Sequence, residues 1–174
     1  MPESMSDTTS PRSPLQRAVE LLSDISIGIA AIALLGLVLV QGWQVIARYV
    51  INDSPSWTEP VTVLLLSTAM SLGAASGVHS KRHFAFSLLA ESLAPPVRRL
   101  LQAIPPLVIL VIGATIAYWA WLLLIDGLDI RAAGANLPQS INYLPLSVGG
   151  ALMAVFAFGQ LLEALHRPAT KGAI

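Results

Sequence analysis

Apolar residues dominate four stretches of this chain, residues 25–47, 60–80, 100–125 and 144–162, and none of the four contains Asp, Glu, Lys or Arg. A helix that crosses a bilayer needs about 20 mostly apolar residues, each advancing it 1.5 Å. Each stretch therefore predicts a membrane-spanning helix, and the four are numbered helices 1 to 4 in chain order. The first run is too long for the apolar part of a cleavable leader, which has about 7–15 residues, so it reads as a retained span.

Between helices 2 and 3 the pattern changes. Phe86, Leu89, Ala90 and Leu93 recur at helical spacing, while His83, Ser87 and Glu91 mark the opposite stripe. This amphipathic segment, about residues 83–94, stops at Pro95-Pro96 and is too short to span. It predicts a helix lying in the plane of the interface. Pro105-Pro106 should bend helix 3 near one end, because each ring removes an amide donor and crowds the preceding turn. The polar stretch after helix 3 is broken by Gly127, Gly134 and Pro138, with Pro145 beyond, and predicts a loop, part of which dips back toward the membrane. The expected architecture is an all-α membrane protein: one four-helix domain over residues 25–165, a partly disordered tail over 1–24, and a short tail over 166–174.

Composition narrows the class. Charged residues make up 11% of the 174, against roughly 25% in soluble domains. Formal net charge is zero, so no nucleic-acid partner is implied, and membrane lipids are the expected surroundings. Cysteine is absent, which removes disulfides, thiolate ligands and cysteine nucleophiles.

The distribution of Lys and Arg orients the helices. Arg12, Arg17, Lys81, Arg82, Arg98, Arg99, Arg167 and Lys171 fall on one side, and Arg48 and Arg131 on the other. By the positive-inside rule the first side, with both termini, is cytoplasmic, as expected of a multi-pass membrane protein. All the Trp and Tyr residues, Trp43, Tyr49, Trp57, Tyr118, Trp119, Trp121 and Tyr143, then fall in the outer half, where amphipathic rings form an interfacial belt.

Candidate chemistry is sparse. Asp24, Arg48, Glu59, Asp126 and Glu163 sit at span ends, where anchoring explains them. An embedded charge would mark an ion pathway, and its lack argues against a self-sufficient pump. His79 and His83 share a helical face at ligand spacing, but Lys81 and Arg82 between them repel a cation and no third ligand is near. No metal, cofactor or catalytic group is expected. Ser56-Trp57-Thr58-Glu59 fits a capping box with Ser56 as the cap. Arg48 has two candidate partners in the same loop, Asp53 and Glu59. Ala69, Gly73 and Gly77 form a small-residue face on helix 2, and Gly149-Gly150 with Ala154 a weaker one on helix 4; each packs within the chain or against another subunit.

The strings QVIARYVINDSPSWTEP, SLGAASGVHSKRHFAFSLLAESLAPPVRRLL and ANLPQSINYLPLSVGGALM resemble the small membrane subunit of tripartite ATP-independent periplasmic (TRAP) transporters. The resemblance rests on Arg48-Tyr49, Asn52, Trp57 and Glu59, Leu72-Gly73-Ala74-Ala75, His83, and Tyr143-Leu144-Pro145, in order. Pro60 departs from a second acid common in the family, and Ser87 from an acid that usually follows the histidine. The resemblance implies a secondary, ion-gradient-driven transporter, sodium-coupled, that imports an organic acid. A large multi-helix membrane subunit would carry the substrate and sodium sites, and a periplasmic substrate-binding protein would deliver the acid. This subunit would be a scaffold and part of the docking surface, with Arg48, Trp57, Glu59, Gly73, Gly77, His83, Tyr143 and Pro145 as its interface or structural residues. The rival reading is a free-standing four-helix transporter or channel.

Overall fold

The computed structural model describes residues 14–53, 55–80, 95–131 and 138–166. It contains α1 (Pro14–Ile46), α2 (Thr58–His79), α3 (Pro95–Asp126) and α4 (Leu144–His166), all long and apolar enough to cross a membrane. The interfacial helix expected over 83–94 lies outside the described residues.

Helix α1 begins at Pro14, ahead of the apolar run that opens at Ile25. Proline suits a first helical position because its missing amide would be unpaired there anyway. The helical stretch 14–24 was expected to belong to the tail. Its Val19 instead packs against the core cluster, which favours continuing the helix. Helix α3 starts at Pro95 for the same reason and runs through Pro105 and Pro106 without a break.

At its far end α1 widens into a π turn, Ala47–Ile51, and stops at Asn52. Asn52 adopts the left-handed conformation, φ 56°, which asparagine tolerates better than most residues with a Cβ. Its amide and that of Asp53 both turn back to the Ala47 carbonyl.

Helix packing follows small residues. On α1 the buried Ser23, Ser26, Ala30, Ala33 and Ala47 share one stripe, at steps of three and four, with the half-buried Leu37, Val40 and Gln44. That repeat of about 3.5 residues is the seam of a left-handed helix pair. The facing seam on α2 is Thr58, Thr62, Leu65, Ala69, Leu72 and Ser76. The helices run antiparallel: Gly36 faces Leu65, Gly73 faces Ala30, and the Ser23 and Ser76 hydroxyls bond at 3.1 Å.

Helix α4 lies beside α2 and parallel to it. Ala75 and Val78 of α2 form the core with Phe156 and Ala157 of α4. The same glycine pair sets both neighbours of α4. A Cβ on Gly149 would stand 2.5 Å from the Ser71 Cβ of α2, and one on Gly150 would stand 2.8 Å from the Ala117 amide nitrogen of α3. Close helix approach inside this chain is therefore made at Gly149, Gly150 and Gly113, not at Gly73 and Gly77. Space near Gly73 extends to Ala30 at 4.0 Å, and Gly77 meets nothing.

The resulting order in space is α1, α2, α4, α3. Among the described residues α1 packs on α2 and α3 packs on α4, but α1 and α3 share no packed face. The four helices make an open row, not a closed bundle. Large apolar side chains point away from it, with Ile32 72% and Leu39 74% exposed. Such an outward apolar coat is what hydrocarbon, or another membrane protein, would cover.

Candidate functional site

Two regions carry the residues singled out above: the turn between α1 and α2, and the segment that leads into α4. The antiparallel and parallel pairings place both at the same end of the row. The exposed Trp43, Tyr49, Trp57, Tyr118, Trp119 and Trp121 stand toward this end as well. Tyr143 is half-buried there.

In the first region the chain leaves α1 through the π turn, which carries the exposed residues Arg48, Tyr49 and Val50. Tyr49 and Val50 are each 77% exposed. Arg48, Asp53 and Glu59 are all exposed, and none of the three is ion-paired among the described residues. The expected contact from Arg48 to Asp53 or Glu59 is thus not formed. An exposed pair of this kind contributes about 0–1 kcal/mol, too little to hold two long side chains against solvation.

Helix α2 starts one residue later than the capping box requires. Trp57, not Ser56, occupies the cap position, with helical φ −76° and ψ −19° and no side-chain cap bond. The turn is instead fixed by Thr58, which is fully buried and whose Oγ1 donates to the Pro55 carbonyl at 2.8 Å. Trp57 is left 44% exposed beside Glu59, in the first turn of α2. That carboxylate faces the positive end of the helix dipole, a favourable place for it.

In the second region the loop closes where the Gln139 amide bonds the Ile130 carbonyl at 2.8 Å, next to a bridge between Arg131 and Pro138. Residues Gln139–Tyr143 then form a 3-10 turn that leads into α4. Two hydroxyls of α2 hang this segment from its carbonyls. Ser67 Oγ shares its proton between Leu64 O of its own helix at 3.0 Å and Asn142 O at 3.2 Å, and Ser71 Oγ donates to Pro145 O at 2.8 Å. Ser67 and Ser71 stand about 13 and 20 Å along α2 from Thr58 at 1.5 Å per residue. Part of the loop thus dips alongside α2, and α4 begins well below the level where α2 does. Tyr143 and the buried Pro145 are placed by this arrangement and by contact within the chain.

At the opposite end Gln160 Nε2 of α4 donates to the Val78 carbonyl, one of the last-turn acceptors of α2. His79 is half-buried with its ring 5.2 Å from that of Phe156. His83 lies outside the described residues, as do Lys81 and Arg82. Among the described residues no three His, Cys, Asp or Glu side chains gather in a metal-binding group.

The residues that sequence reasoning passed over are the hydroxyls and the amide: Ser23, Ser67, Ser71, Ser76 and Gln160. Their signal was available in the apolar runs themselves. Ser67 and Ser71 are four apart on one face of an apolar helix, and a polar group inside a membrane must find a partner.

The charged turn, the dipping segment and the polar ties along α2 can be set against known proteins. The pattern defining the DctQ component of tripartite ATP-independent periplasmic transporters matches residues 37–167, from the last third of α1 to the end of α4. The chain belongs to this family. A Haemophilus influenzae protein provisionally named a TRAP transporter small permease protein is similar to it at 23% identity over 151 residues, covering 87% of this chain and 89% of that protein. The chain is thus a small permease subunit of a TRAP transporter, a multi-pass membrane protein of a family of transporters and not of enzymes. The DctQ match takes in both regions described above, since Arg48 and Glu59 as well as Tyr143 and Pro145 fall inside it.

Proposed function

We propose that this DctQ subunit is the scaffold of a sodium-coupled importer of an organic acid, and that it neither binds nor moves the substrate itself. A larger membrane subunit carries the substrate and sodium sites, and a soluble periplasmic protein delivers the acid. The turn that bears Arg48, Trp57 and Glu59 forms part of the surface on which the periplasmic protein docks. Gly77, with Gly73 at its edge toward α1, lies on the side of α2 that takes the large subunit, and His83 is a further interface or structural residue.

One observation carries the reading. Polar side chains within the spans tie one element to another at Ser23–Ser76, Ser67–Asn142, Ser71–Pro145 and Gln160–Val78, while Ser26, Thr68 and Thr115 bond carbonyls of their own helices. The ionisable ones of α2 and α4 stand at helix ends. A chain that uses its membrane-embedded polar groups this way is built to hold a shape. Orientation follows from the Lys and Arg count: both termini are cytoplasmic, and the aromatic end is periplasmic.

Reconstitution into liposomes under an inward sodium gradient tests the assignment. Uptake is expected only when this subunit, the large membrane subunit and the binding protein are all present. Saturable binding of an organic acid to the purified small subunit alone, measured by calorimetry, would overturn it.

A further inference from the structure

We draw no further inference here: the strongest candidate, the outward face of α2 that runs from Glu59 through Val63, Leu66 and Met70 to Ala74 and Gly77, is an unpartnered apolar stripe, and nothing in the structure shows whether lipid or protein covers it.

Discussion

Gly149→Ala is the smallest change expected to damage this subunit. The added methyl would stand 2.5 Å from the Ser71 Cβ, 2.8 Å from the Ser71 carbonyl carbon and 2.9 Å from its oxygen. Real Cβ contacts are not that short, and two of the three obstacles are backbone, so no rotamer change relieves them. Helix α4 must move off α2, which loosens the Ser71–Pro145 bond and the Ala75–Phe156 core together. Overpacking of this kind costs about 1–3 kcal/mol. The lost interhelical bond adds about 0.6 kcal/mol. Alanine's better helix propensity offsets up to about 1 kcal/mol. With that offset taken in full, the predicted net loss is about 0.6–2.6 kcal/mol, read as a lower melting temperature of the detergent-solubilised protein by tryptophan fluorescence. Gly77→Ala is the control, because a Cβ there meets nothing within 4 Å. It should leave the melting temperature unchanged or raise it slightly. If Gly149→Ala melts with wild type, the close α2–α4 crossing is wrong; if Gly77→Ala melts below it, the open space at Gly77 is wrong. The double variant Gly149→Ala with Ser71→Gly should recover only part of the loss, since the backbone contacts remain.

Three further outcomes are predicted. Single cysteines at Ser54 and Gln139 should react with an impermeant maleimide added from the periplasm while one at Ser80 does not; the reverse pattern would invert the topology. Gly77→Leu should reduce co-purification with the large subunit without lowering the stability of the isolated subunit, whereas Glu59→Ala should lower uptake with the complex intact; wild-type co-purification by the first, or wild-type transport by the second, would remove that residue from its assigned surface. Thr62 Oγ1 is buried with no hydrogen-bond partner among the described residues, so Thr62→Val, which keeps the shape and removes the hydroxyl, should be neutral or stabilising by up to about 1–3 kcal/mol; a clear drop in melting temperature would show that the hydroxyl is paired.

The four helices were legible because hydrocarbon imposes a length and an absence of charge, and both can be counted along a sequence. Their ends were less so. Pro14 and Pro95 open helices inside stretches that composition marks as polar, since a first-turn proline costs nothing that the helix end has not already lost. The lateral order of the helices was not legible at all. Gly73 and Gly149 look equivalent as letters, and only the packing of the helices shows that Gly149 sits at a tight crossing while Gly73 stands 4.0 Å from Ala30. The candidate site divides in the same way. Residues 48–59 could be named from their pattern, but the π turn and the left-handed Asn52 that shape this stretch carry no clear mark in the sequence.

The open order of α1, α2, α4 and α3 gives the subunit the character of a partition. In a square bundle every helix turns one side inward, and the surroundings meet a post with a single continuous outside. In a partition the two end helices each keep a single neighbour, and the outside divides into two flanks and two narrow edges. Whatever rests on the edge formed by α1 need not touch what rests on the edge formed by α3, because those helices share no packed face. A thin wall of four helices thus offers more perimeter than a post of the same mass, and it can border two different environments at once.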